Sequence, residues 1–231
     1  TPGIDGIVNE IIKEGKAILV PLIMRLFNTI LCTGQYPEEW CKAIIIPIYK
    51  GGNVNDANNY RGISLISHLG KLFCTMINQR LIKWADENNH MYEQQAGFTK
   101  GKSTIDQVFI LQSVIDKYLQ KKKGRCYAIY VDFAKAFDRV PHSHLFYMLC
   151  EKGAHGRVLT VLKNMYSKLQ SCVSSENSLS DLFKCSVGTR QGCMISPFLF
   201  IFYLNELVRT CSDLPGIYID ENHSNLNMLL Y

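Results

Sequence analysis

The sequence predicts an α+β fold, and three observations carry the prediction. Apolar residues recur at three- and four-residue spacing along several long segments, the mark of helices with one buried face. Two apolar runs, Lys42–Tyr49 and 126–132, read as buried strands, the first rich in Ile and the second ending on Asp132. Two further stretches, 171–175 and 182–187, flank a polar Glu/Asn/Ser loop and read as a β-hairpin. The expected arrangement is a small antiparallel sheet backed by helices, with a mixed portion of helices and strand before it.

In chain order, Thr1-Pro2-Gly3-Ile4-Asp5-Gly6 is a turn-rich entry to a helix starting near Ile7. Residues 16–33 continue as a strongly apolar helix stopped by Thr33-Gly34. After the Ile-rich strand, residues 50–60 form a polar Gly/Asn/Asp loop. From Ser67 onward, Leu69, Leu72, Phe73, Met76, Ile77, Leu81 and Trp84 share a helical face. Residues 94–102 form a loop with two glycines, and Ser103 then caps a helix whose Ile105, Val108, Leu111, Ile115 and Tyr118 lie on one side. Beyond the 126–132 strand, Gly153 and Gly156 separate two helices, 144–151 and 157–169. Ser196-Pro197 opens the next helix: a capping hydroxyl, then proline where its missing N–H costs nothing. That helix runs to about Arg209, and 217–219 pairs with 226–231 as a final hairpin. There is no internal repeat and no low-complexity segment.

Composition excludes a disordered chain: 47% of the 231 residues are hydrophobic and 19% charged, enough to bury a core in one large domain or two small ones. The longest apolar run, 17–24, contains Pro21 and ends at Arg25, short of the roughly 20 residues a bilayer needs, so no membrane partner is expected. The chain opens on Thr1 without a signal peptide, and that terminus is expected to be a cut end. None of the nine cysteines forms a CxxC pair, which reads as buried reduced thiols. His142, His144 and Cys150 can be drawn as a metal site, but no second ligand pair follows at zinc-finger spacing. Net charge is +5, and residues 61–125 alone carry 11 basic and 5 acidic side chains. That concentration suits a surface facing a polyanion, although Lys121-Lys122-Lys123-Gly124-Arg125 alone reads as a solvated loop.

Several residues carry candidate chemistry. Asp132 puts a carboxylate at the end of a strand, where burial demands a cation or hydrogen-bond partners. Phe137 is a core aromatic by default, and Asp138 reads as a cap or a partner of Arg139. Gln191-Gly192 lies between a strand and the Ser196 helix, as a plain turn or as a place for backbone to approach a ligand. Lys50 and Arg61 bracket the polar loop, a point charge and a forked donor suited to phosphate oxygens. Lys100 and Lys102 sit with Phe98 and two glycines in a segment that suits either a solvated turn or a surface tracking a nucleic-acid backbone. It is not a phosphate-cradling P-loop, because the Gly-x4-Gly-Lys spacing is absent.

Taken in order, Pro2-Gly3-Ile4-Asp5-Gly6, Tyr36-Pro37-Glu38-Glu39-Trp40, the Arg61 segment, the 94–104 segment, Tyr130-Val131-Asp132-Phe133-Ala134-Lys135-Ala136-Phe137-Asp138 and Thr189-Arg190-Gln191-Gly192-Cys193-Met194-Ile195-Ser196-Pro197 resemble the reverse transcriptase of a non-LTR (LINE-type) retrotransposon. The resemblance covers the whole chain. It implies the right-hand polymerase fold, fingers plus palm, with a ferredoxin-like antiparallel palm sheet; residues to about 125 would be mainly fingers and palm-entry helices, and about 126–231 palm. It implies RNA-directed DNA synthesis by two-metal nucleotidyl transfer, with Mg²⁺ as the ion pair and Mn²⁺ as the alternative. Asp132 and the main-chain carbonyl of Phe133 would reach metal. Lys50, Arg61, Gln191 and Gly192 would contact the nucleotide, and the Phe137 ring would exclude a 2′-hydroxyl. Lys100, Lys102 and Arg190 would face nucleic acid, and Trp40 would anchor the core. The partners implied are an RNA template, a DNA primer, deoxynucleoside triphosphates and an endonuclease of the same polyprotein, acting in the nucleus after a cytoplasmic ribonucleoprotein stage. Two departures stand out. The family usually has proline after the arginine of the fingers, where this chain has Gly62. Its closing strand carries two aspartates after a tyrosine, whereas this sequence stops at Tyr231. The expectation is therefore a fragment inactive by itself. The rival readings are a non-catalytic nucleic-acid-binding remnant and a group II intron maturase or telomerase-like polymerase.

Overall fold

A computed structural model describes residues 1–120, 124–175, 178–218 and 225–230. Lys121, Lys122, Lys123 and Tyr231, singled out above, lie outside the described residues, as does Ile219 of the expected last hairpin. The structure is mixed helix and sheet, and the chain divides into two compact units interleaved in sequence: Thr1–Leu81 with Ala136–Ser196, and Ile82–Lys135 with Pro197–Tyr231.

The first unit starts with α1 (Asn9–Glu14) and α2 (Lys16–Thr33). Gly34 ends α2 in the left-handed conformation, its N–H bonded to the Ile30 carbonyl, as a residue without Cβ does readily. After the short α3 (Glu38–Cys41) comes β1 (Lys42–Tyr49), which pairs antiparallel with β2 (Tyr60–Leu65). Helix α4 (His68–Glu87) follows. The later half of the unit contributes α6 (His142–Glu151), α7 (Gly156–Ser167), β3 (Gln170–Ser175), β4 (Ser178–Leu179) and β5 (Phe183–Lys184), while α5 (Thr104–Leu119) belongs to the second unit. Sheet order is β2-β1-β3-β4, with β5 also on β3. The Phe27 and Phe73 rings meet edge-on at 5.2 Å, and Tyr36 meets Trp40 at 5.6 Å, so Trp40 is the core anchor expected of it.

Helix α2 keeps the bounds expected of it, and although the 17–24 apolar run is short, the 18 residues of the whole helix are long and apolar enough to cross a membrane by length and composition. Only Ile30 and Leu31 of α2 are buried.

In the second unit, α5 (Thr104–Leu119) opens with a reciprocal capping box: Ser103 accepts from the Asp106 N–H while the Asp106 carboxylate accepts from the Ser103 N–H. Its face is rotated from the one expected, with Val114 buried and Ile105 and Val108 exposed. Helix α8 (Ser196–Cys211) supplies Phe198 and Phe202, stacked at 5.8 Å, and Trp84 packs 5.8 Å from Phe202. A short β6 (Ile217–Tyr218) pairs with β7 (Asn225–Leu226), giving the last hairpin in reduced form.

The sheet departs from the expected antiparallel one in two ways. β1 and β3 run parallel, Ile44 opposite Cys172. The stretch 124–133 has no regular structure, and Ile129 is 90% exposed. Its residues favour a strand, but a strand exists only through a neighbour's ladder, and no ladder among the described residues includes 126–132.

Candidate functional site

The first unit brings Arg61, Phe137, Gln191 and Gly192 into one hydrogen-bonded cluster. The β1–β2 hairpin supplies one wall. Lys50 follows β1 and donates its N–H to the Asn59 carbonyl at 2.8 Å, while Ile48 pairs with Arg61 and Pro47 with Gly62. Inside the connecting loop, Asp56 accepts from the Asn58 N–H at 2.9 Å. Both Lys50 and Arg61 are exposed. Gly62 has a local reason here: a Cβ at this position would lie 2.8 Å from Ile45 Cγ2.

The second wall is the 3-10 turn Ala136–Arg139, crossed by the strap 187–192. Val187 bridges to Pro141, Gly188 N–H donates to the Val140 carbonyl at 2.8 Å, and Thr189 N–H donates to the Phe137 carbonyl at 2.7 Å. His142 Nε2–H donates to the Gly188 carbonyl at 2.7 Å, so this ring nitrogen is engaged in the crossing. Gly188 has φ +86°, and a Cβ there would sit 2.8–2.9 Å from the backbone of Asp138. Only glycine permits so close a crossing.

Beyond the crossing, Gln191 joins the two walls. Its carbonyl accepts from the Ser64 N–H of β2 at 3.2 Å, its Oε1 accepts from Arg61 Nε at 3.4 Å, and its Nε2 donates to Asp138 Oδ1 at 3.2 Å. Asp138, expected to cap or to pair with Arg139, thus has Gln191 as its observed partner. Gly192 has φ +100°, and a Cβ would lie 2.8 Å from the Ser64 carbonyl oxygen. The Phe137 ring is half-buried beside this strap.

Arg190 is employed differently from its neighbours. Its guanidinium donates to the Trp40 carbonyl at 3.0 Å and to the Cys41 carbonyl, tying the strap to the end of α3. Behind it lie buried thiols and phenols. Burial pushes the Cys41 thiol up to about 11 and raises the Tyr36 phenol. Cys74 donates to Cys193, which lowers the Cys193 thiol and raises that of Cys74. All nine cysteines are free thiols.

The remaining candidates belong to the second unit. Asp132 and Phe133 lie in the irregular stretch 124–133, both exposed. Lys102 Nζ donates to the carbonyls of Glu93 at 2.6 Å and Gln95 at 3.2 Å, so its ammonium holds the 94–104 loop together. Lys100 and Phe98 of that loop are exposed, Phe98 with φ 53°. Among the described residues no three His, Cys, Asp or Glu side chains converge where a metal ion could sit. One exposed carboxylate does not fit a pair of divalent ions, which needs carboxylates from adjacent strands.

The β1–β2 hairpin with Lys50 and Arg61, the Phe137 turn and the Gln191-Gly192 strap thus form one hydrogen-bonded cluster within the first unit. Residues 48–231 match the family "Reverse transcriptase (RNA-dependent DNA polymerase)", and the chain belongs to that family. Within it, the similarity is to non-LTR, LINE-type elements. The chain is 31% identical over 208 residues to the probable RNA-directed DNA polymerase from transposon BS of Drosophila melanogaster, covering 90% of this chain and 23% of the relative. It is 28% identical to the RNA-directed DNA polymerase from the mobile element jockey of the same fly, over 89% of this chain and 22% of that protein. It is 26% identical to the Pol polyprotein of the type-2 retrotransposable element R2DM, over 91% and 19%. The chain therefore spans less than a quarter of the length of these relatives. Reverse transcriptases are generally dependent on a divalent metal.

Proposed function

We propose that this chain is the nucleotide-gripping part of an RNA-directed DNA polymerase of a LINE-type retrotransposon, combining fingers and palm elements. The observation that carries the reading is the bonded path from Arg61 through Gln191 to the Phe137–Asp138 turn within one unit. Arg61 and Lys50 offer cationic donors to a triphosphate, Gly192 is exposed on the strap, and the Phe137 ring would crowd a 2′-hydroxyl. The substrates are deoxynucleoside triphosphates, with an RNA template and a DNA primer gripped mainly through their backbones by Lys100 and its neighbours, an interaction steeply weakened by salt. Bound Mg²⁺ would neutralise charge on the triphosphate. Asp132 with the Phe133 carbonyl is the contribution of this chain to that centre, and too little to hold an ion pair. An endonuclease of the same polyprotein and action in the nucleus complete the proposal.

A second reading, nucleic-acid binding without catalysis, is favoured by the basic excess of residues 61–125. Titration of the chain with dTTP and with its ribose counterpart tests the first. The expected result is preference for dTTP, a loss of about tenfold or more in Arg61→Ala from charge-assisted bonds, and narrowed sugar preference in Phe137→Val. Equal binding of both nucleotides by wild type and Phe137→Val would remove Phe137 from the site.

A further inference from the structure

Asp138 is a charged group of the cluster to which the reading above assigns no task of its own. The Gln191 carboxamide lies between two groups of fixed hydrogen-bonding character. Arg61 Nε can only donate, 3.4 Å from Oε1, and the Asp138 carboxylate accepts at Oδ1, 3.2 Å from Nε2. A flipped amide would set its NH₂ against the guanidinium and its carbonyl against the carboxylate, losing both bonds and adding two repulsions. The anion and the cation together therefore select one of the two amide orientations. Asp138 itself is held by its backbone: Gly188 crosses so closely that a Cβ would come within 2.8–2.9 Å of it, and the adjacent Phe137 carbonyl accepts from Thr189. Gln191 in turn is held by its carbonyl on Ser64 N–H, so both ends of the Asp138–Gln191 bond are anchored through main chain.

We propose that Asp138 is a positioning residue of the nucleotide site: by locking the Gln191 amide it aims the Arg61 guanidinium at the incoming triphosphate. The proposal rests on the nucleotide-site reading given above. It places the carboxylate two bonds removed from the nucleotide, where it acts through Gln191 and touches neither substrate nor metal. It also assigns the acid at this position a task in which one acceptor oxygen matters more than the charge.

The test uses the 231-residue chain labelled with ¹⁵N-glutamine, observed by NMR and titrated with dTTP. In Asp138→Ala, the Gln191 side-chain NH₂ resonances move to positions typical of a solvated glutamine, and dTTP binds about three- to tenfold more weakly, the scale of one exposed hydrogen bond. Asp138→Asn keeps an acceptor oxygen and stays within about twofold of wild type. Gln191→Glu sets two carboxylates face to face and weakens binding. Adding Asp138→Asn to it restores most of the loss, because the amide introduced at 138 can donate to the carboxylate introduced at 191 while that carboxylate pairs with Arg61. A merely structural role for Asp138 would not produce that rescue. The proposal is overturned if Asp138→Ala leaves the Gln191 resonances in place, if Arg61→Ala weakens dTTP binding while Asp138→Ala does not, or if the double variant is no better than Gln191→Glu. If wild type binds no dTTP, the nucleotide-site reading itself fails, and the Gln191 resonances alone decide whether Asp138 orients the amide.

Discussion

In the first unit, Gln191 is held at its carbonyl, its Oε1 and its Nε2, and the Phe137 carbonyl beside it accepts from Thr189 at 2.7 Å. In the second unit, Asp132 sits in a stretch without regular structure, with Tyr127 and Tyr130 about 80% exposed. Asp132 and the Phe137–Asp138 turn belong to one short neighbourhood of sequence, 130–139, and the division between the units falls at Lys135 and Ala136. The difference teaches that a contiguous sequence motif need not be a structural unit. Phe137 and Asp138 are ordered by a strap more than 50 residues further along the chain, while no ladder among the described residues includes Asp132.

The sharpest way to break that comparison is at its glycines. Gly188→Ala should destabilise the chain by about 2–3 kcal/mol, because a Cβ would enter the Asp138 backbone at a positive φ. Gly101→Ala in the second unit, also at positive φ but with nothing within 4 Å of the new Cβ, should cost only about 1 kcal/mol, the left-handed penalty alone. Urea midpoints of both variants decide, and equal losses would mean that the crossing at Gly188 is loose.

Arg190 comes next. Arg190→Met deletes the bonds to the Trp40 and Cys41 carbonyls and should cost about 1–3 kcal/mol. If Arg190→Met instead leaves stability intact and weakens nucleic-acid binding alone, Arg190 is a surface contact and the strap has another anchor.

Alkaline pH gives a smaller effect, specific to the first unit. Cys41 ionises at about 11 when folded against 9.0 as its ordinary value, so above pH 9 the unfolded chain releases a proton that the folded chain retains. The stability from this group is complete below about pH 9 and is lost as pH rises toward 11. Cys41→Ala should therefore show a flatter decline in urea midpoint over that range than wild type. Parallel declines would refute the burial of this thiol.

The smallest expected change is Lys102→Met. It removes the ammonium from the Glu93 and Gln95 carbonyls and should loosen the 94–104 loop by about 1 kcal/mol, seen as faster amide exchange at Gln95 to Thr99. Lys100→Met should leave that exchange unchanged.

What can be read from the sequence follows the range of the forces involved. β1 is legible because its Ile run is local, α5 because Ser103 and Asp106 are three residues apart, and the end of α2 because Gly34 follows Thr33. β2 is not, since Gly62 and Ser64 interrupt any apolar run there, and its strand is fixed by the antiparallel ladder to β1. The 126–132 stretch misleads for the opposite reason: residue type allows a strand, but pairing decides it. Arg61, Phe137, Gln191 and Gly192 stand out in the sequence one by one, and the fold brings them together, whereas the Asp138–Gln191 bond spans 53 positions and leaves no local trace. Arg190 is legible as a charge, whereas its bonds to the Trp40 and Cys41 carbonyls, 150 and 149 positions away, leave no local trace.

The most direct test of the central claim is amide hydrogen exchange of the chain with and without dTTP. The account predicts added protection at Arg61, at Phe137–Asp138 and at Gln191-Gly192, lost in Arg61→Ala, with 126–132 exchanging fast throughout. Protection that falls elsewhere, or that survives Arg61→Ala undiminished, would contradict a nucleotide site built on this cluster.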